Sequence, residues 1–175
     1  MGLVRLVFAL LALVAFHAAA RGDGPPMRGE TLGKQKVDLR VKTKGRRAAF
    51  LFGFSKESQE SLRPWTSRLL RESGPDERFV VYNVASLESA PFFIRGIIKG
   101  GMRNDVPAAR HQYFVVITSH DKAWRSYLGY RTETAGDAYL MVLSPDGGTL
   151  FREWVGGPAE SEAPLSSALR EALAL

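Results

Sequence analysis

The chain has 175 residues, 45% hydrophobic and 10% aromatic, a balance that suits a folded domain and argues against disorder. It contains no cysteine, which excludes disulfides, CxxC redox chemistry, a peroxidatic thiol, thiolate metal sites and a lipoprotein anchor. Its net charge of +6 is uneven: residues 21–47 hold nine Lys/Arg against three acids, Arg5 adds one more, and residues 48–175 hold fourteen against fifteen, a near-neutral balance that argues against nucleic-acid binding.

The first twenty residues have the layout of a secretory signal peptide: Arg5 gives the charged start, residues 6–16 form an apolar run, and Ala18-Ala19-Ala20 offer a small-residue cleavage site. An uncleaved anchor is the alternative, but the run is about half the length that spans a bilayer. A mitochondrial presequence would be amphipathic and Arg-rich, which this segment is not. The expected destination is therefore periplasmic or extracellular, with membrane association left open. Residues 21–46 read as a basic flexible leader, opening on Gly22-Asp23-Gly24-Pro25-Pro26 and ending in a strand around 37–41. It is either a solubilising tail or a contact for anionic lipid or an acidic partner.

From 47 to 175 one domain is expected. Residues 48–54 are a continuous apolar run of strand length, as in a strand buried on both faces of a parallel sheet. Residues 57–70 place Leu62, Trp65 and Leu69 at helical spacing, with Ser55 or Ser58 as N-cap and Pro64 as a first-turn or kink residue. A strand follows at 79–84, then a helix at 91–102 with Phe93, Ile94, Ile97 and Ile98 on its apolar side and Gly96, Gly100 and Gly101 weakening it. A third strand at 113–118 precedes a short helix at 120–128, in which Trp124 and Leu128 share a face and Gly129 is the stop. Strands at 138–143 and 149–155 are joined by Ser144-Pro145-Asp146-Gly147-Gly148, and a last helix carries Leu165, Leu169, Ala172 and Leu173 after Pro164.

Alternating strand and helix units that end in a hairpin and a helix imply an α/β fold: a mixed sheet, parallel in its first part and flanked by helices on both faces. The hairpin from Ala138 to Gly148, running on to Gly156-Gly157, resembles the last hairpin of thioredoxin-like proteins, and the added strand and helix at 113–128 resemble a peroxiredoxin-like insertion. The order of Arg63-Pro64-Trp65, a basic amphipathic helix over 92–103, Arg110-His111-Gln112-Tyr113-Phe114, the Leu128-Gly129 helix end and Gly157-Pro158-Ala159-Glu160-Ser161-Glu162 after the hairpin is similar to the mitochondrial ATP synthase assembly factors, the "ATPase ten" family with its bacterial relatives. The resemblance covers roughly residues 47–170. It implies a thioredoxin-like fold and, for the mitochondrial members, a chaperone role at the inner membrane while a proton-channel subunit is incorporated. The export signal departs from that mitochondrial setting.

Redox members of the fold would carry their thiols just after the first core strand, where a helix start lowers a cysteine pKa. Here that stretch reads Ser55-Lys56-Glu57-Ser58-Gln59-Glu60, and Ala135-Gly136-Asp137 stands where a cis-proline would face it. The bland reading is helix capping. The alternative is a vestigial pocket of Ser55, Glu57, Ser58, Glu60 and Asp137, where a small molecule or anion meets free backbone N–H groups. His111 and His120 with Asp121 could share a metal, but separated imidazoles are more often loop residues. Ser119-His120-Asp121 resembles a hydrolase triad only in its letters, because sequence neighbours do not point at one another. Arg95, Lys99 and Arg103 recur every four residues as one basic stripe without acidic companions, extended by Arg110. The stripe is either a solvated face or a partner-binding surface. Together these observations lead to the expectation of an exported thioredoxin-like chain that is not an enzyme, holds no metal or cofactor, and binds a protein partner, a membrane protein or an anionic membrane surface.

Overall fold

The computed structural model describes residues 24–174. The apolar runs become the middle of one seven-stranded sheet. Its strands are β1 (Arg28–Thr31), β2 (Lys36–Asp38), β3 (Arg47–Gly53), β4 (Phe79–Ser86), β5 (Phe114–Ile117), β6 (Ala138–Leu143) and β7 (Thr149–Gly156), in the spatial order β2-β1-β5-β4-β3-β6-β7. β3, β4 and β5 are parallel, whereas β6 and β7 on one side and β1 and β2 on the other join antiparallel. This is the mixed sheet, parallel at its centre, that the alternating pattern predicts. The helices are α1 (Leu39–Lys42), α2 (Ser58–Ser73), α3 (Phe92–Asp105), α4 (Asp121–Tyr127) and α5 (Ser167–Leu173), with 3-10 turns at Ala108–Tyr113, Thr132–Thr134 and Glu160–Glu162.

Successive strand residues face opposite sides, so the central strands feed two cores. Phe50, Phe52, Tyr82, Val84, Tyr139 and Met141 meet Trp124 and Leu128 of the α4 segment on one side. On the other, Ala49, Leu51, Val81, Leu140 and Val142 meet Leu62, Trp65 and Leu69 of α2 and Leu169 and Leu173 of α5. Trp65 also donates its indole N–H to the Gly157 carbonyl at 3.2 Å, tying α2 to the end of the hairpin. Gly156 sits there at φ +95 with the Glu160 side chain where a Cβ would be, so two separate demands favour glycine. Of the two placements expected for Pro64, first turn or kink, the first does not hold, because it lies inside α2 past the first turn.

The basic leader is not a loose arm over its whole length. Residues 28–42 form β1, β2 and α1, β1 pairs with β5, and Met27 and Leu39 are buried against the α4 side of the sheet. Few large apolar residues suggested flexibility, but β1 gains ladder hydrogen bonds from the open edge of β5, and two anchors are enough to seat the stretch. The expected signal peptide at 1–20 lies outside the described residues.

Candidate functional site

The end of β3 and the start of α2 face the 132–137 loop, as the thioredoxin-like reading requires. Ser55 Oγ donates to the Ala135 carbonyl (3.0 Å) and accepts from the Ser58 N–H (3.3 Å), Ser58 Oγ donates to the Ser55 carbonyl (2.7 Å), and Ser61 Oγ donates to the Gly136 carbonyl (2.7 Å). Asp137 is engaged as well, accepting from the Trp154 indole at 2.8 Å. Ser55 and Ser61 therefore lock the helix start to the loop, Ser58 bonds back to Ser55, and Asp137 ties the loop to β7. Glu57 and Glu60 are near this junction, and Glu57 is fully exposed. A backbone N–H, with the Ser55 hydroxyl behind it, holds the Glu57 carboxyl below its ordinary range. It stays ionised at neutral pH, unlike a general acid or base poised near 7.

The basic residues of α3 form a stripe, but the stripe faces the protein. Arg95 donates from Nε to the Ala90 carbonyl and from Nη2 to the Glu88 carbonyl, both at 2.8 Å. Lys99 Nζ pairs with Glu30 of β1 at 3.0 Å, and Arg103 Nε donates to the Leu32 carbonyl at 2.7 Å. Glu30 replaces the missing helical acid for Lys99, while Arg95 and Arg103 are held by hydrogen bonds to neutral backbone carbonyls. Ile98 and Met102 pack partly against Leu32, Leu87, Phe114 and Val116. The other apolar residues turn outward: Phe92 is 82% exposed, Phe93 70% and Ile97 76%, and no α3 residue is fully buried. Helical spacing indicated which residues share a face but not which face meets the sheet.

His111 and His120 lie apart, each in its own setting. His111 Nε2 lies 2.9 Å from the Val106 carbonyl and 3.2 Å from that of Arg103, so its ring N–H fastens the end of α3. Asp121 pairs with Arg125 at 2.5 Å in α4, and His120 is exposed at φ +64. Among the described residues no three His, Asp or Glu groups are placed to hold a metal ion.

A cleft absent from the sequence reading opens between α2 and α3. Its volume is about 410 Å³, and Leu62, Leu70, Met102 and Phe114 form its apolar walls. Arg110, expected to extend the basic stripe, lines this cleft instead. Its Nη2 donates to the Val81 carbonyl at 2.8 Å and its guanidinium lies 4.7 Å above the Tyr113 ring. No local sequence signal could find the cleft, because its walls come from segments some forty residues apart.

No known family pattern and no curated relative matches the chain. Solved structures do. The exposed lipoprotein thioredoxin of Streptococcus pneumoniae is 13% identical, covering 86% of this chain and all of that one, with a TM-score of 0.51. A DsbE thiol:disulfide interchange protein from Chlorobium tepidum is 17% identical over 86% of this chain and 94% of its own, with a TM-score of 0.56. The fold is thioredoxin-like. That finding corrects the expectation that the chain is not an enzyme, because one of these structures is named a thioredoxin and the other a thiol:disulfide interchange protein. The absence of cysteine removes a thiolate from this chain, and it gives no ground for excluding catalysis at large. Among the described residues no helix is long and apolar enough to cross a membrane.

Proposed function

We propose that this thioredoxin-like chain is exported and binds a protein partner at a membrane surface through the outward face of α3, in an assembly or chaperone role. The observation that carries the reading is the exposure of Phe92, Phe93 and Ile97 on a helix otherwise fastened by its cations. A contiguous exposed apolar patch is a common mark of an interaction surface. Lys99 and Arg103 are turned to Glu30 and the Leu32 carbonyl, which leaves an apolar outward patch suited to a partner with an apolar stripe. Export rests on the layout of residues 1–20, and the mature chain should begin near Arg21 by mass spectrometry. The ATP synthase as partner rests on the resemblance over 47–170 alone.

The test is site-specific photo-crosslinking in cells with a benzophenone side chain at position 93 or 97, and at Val41, which is also exposed but belongs to α1. A discrete protein adduct at 93 and 97, absent at 41, supports the reading. No adduct at either α3 position, or equal labelling at 41, would overturn it. Immunoblotting the adduct for subunits of the ATP synthase decides the finer assignment.

A further inference from the structure

We infer that the cleft between α2 and α3 binds an organic carboxylate with an extended apolar body, its head group held by Arg110 and its tail by the walls of the cleft. The inference does not depend on the partner surface of α3.

The volume of about 410 Å³ lies within the range of small-molecule sites, roughly 300–1,000 Å³. Leu62 and Leu70 of α2, Met102 at the end of α3 and Phe114 at the start of β5 supply the apolar walls, a surface that favours a hydrocarbon chain over a sugar or nucleotide. Polar groups, among them Gln59, Arg63, Thr66, Ser67 and Asn83, share the lining with these walls. The Thr66 hydroxyl donates to the Leu62 carbonyl at 2.6 Å and lies 3.0 Å from Asn83 Oδ1.

Arg110 gives the site its sign. A guanidinium has five N–H donors, and the contacts of Arg110 are one hydrogen bond to the Val81 carbonyl and the face of Tyr113. Among the described residues no carboxylate lies within ion-pair distance of it, although Asp105 lines the same cleft. Burial pushes its pKa down, the signature of a cation taken from water without a compensating anion. Stacking on Tyr113 and the bond to Val81 fix its plane, so its remaining donors are preorganised for a planar oxyanion, which carboxylate matches in two parallel hydrogen bonds. Arg63 on the same cleft adds a second cation against the single acid, Asp105.

The experiment uses the mature protein and isothermal titration with decanoate, alongside decanol and decylamine to vary the head group and acetate to remove the tail. Decanoate should bind one to one, with decanol, decylamine and acetate each weaker by at least about tenfold, because a charge-assisted bidentate pair and the chain burial are both needed. Arg110→Met should lower decanoate affinity by a similar factor. Arg110 also bonds to β4, so a second variant, Ser67→Trp, places a bulky ring in the cleft from an exposed position on α2 and should abolish binding while the melting temperature is retained. Decanoate and decanol binding equally, decanoate binding surviving both variants, or no saturable decanoate binding would each overturn the inference. So would a hydrophobic peptide that binds by its free C-terminus where decanoate does not.

Discussion

The glycines of α3 offer the sharpest check on how this helix is placed. Gly96 and Gly100 lie in the interior of α3, neither has a positive φ, and a Cβ built at either meets nothing within 4 Å. Nothing in the fold therefore requires glycine, and each should cost about 1 kcal/mol relative to alanine through the extra freedom of the unfolded chain. Gly96→Ala and Gly100→Ala together should stabilise by about 2 kcal/mol, since neither methyl has a neighbour through which the two could couple. For a domain of this size each kcal/mol moves the melting temperature by about 2–4 °C, so the double variant should melt roughly 4–8 °C higher. Thermal unfolding followed by circular dichroism, with urea titration for the free energy, reads both numbers. A double variant melting at or below the wild-type temperature would refute the reasoning, because the methyls would then be meeting something and this side of α3 would not be open.

Three further outcomes follow from the packing. Trp65→Ala removes a buried indole together with its bond to the Gly157 carbonyl, and urea unfolding should show a loss of about 3–5 kcal/mol. Arg95→Ala cuts two hydrogen bonds that hold the start of α3 and should cost about 1–2 kcal/mol in this half-exposed setting, so an unchanged melting temperature would mean the stripe is free in solution after all. Burial raises the Tyr82 phenol above its usual range, so its contribution to stability is complete below about pH 10 and declines as the pH climbs above that toward the folded value. Tyr82→Phe should accordingly flatten the alkaline limb of the stability profile, and a limb identical to wild type would remove Tyr82 as its cause.

The order of strands and helices was legible because it rests on local patterns. Residues 48–54 and 138–143 are uniformly apolar since both faces of the sheet are covered, and Leu62, Trp65 and Leu69 fall on one face of α2 by arithmetic alone. The serines at 55 and 58 were expected as caps, but the cap position of α2 falls on Glu57 without a side-chain capping bond; Ser55 instead accepts from the Ser58 N–H and reaches the Ala135 carbonyl across 80 residues, a contact no local pattern records. What the sequence withheld depends on contacts made at a distance. Lys99 has no acidic companion at helical spacing, but β1 brings Glu30 to it across 69 residues, and Arg110 continues the stripe by spacing, but a 3-10 turn carries it into the cleft. Flexibility in the leader was inferred from sparse apolar residues, yet an open strand edge supplies stabilisation that composition does not record.

The reversed helix is where folding energetics and function meet. Long side chains can bring a helix to a sheet edge by reaching backbone carbonyls, as Arg95 and Arg103 do, and the face between them then need not be apolar. The outward surface of the helix was free to be polar, but it carries Phe92, Phe93 and Ile97 instead. Leaving each of these in water forgoes about 1.5–3 kcal/mol that burial would provide. The glycines compound this with helix propensity lost for no contact in return. Both features make the isolated domain less stable than simple substitutions would, and both are accounted for if a second surface covers this face. Phe93→Ser and Ile97→Ser should thus leave the melting temperature nearly unchanged, since neither side chain is buried, while the adduct formed from a benzophenone placed at Gly101 on the same helix is lost. A sharp fall in melting temperature would mean that these side chains serve the fold, and the partner surface would have to be sought elsewhere.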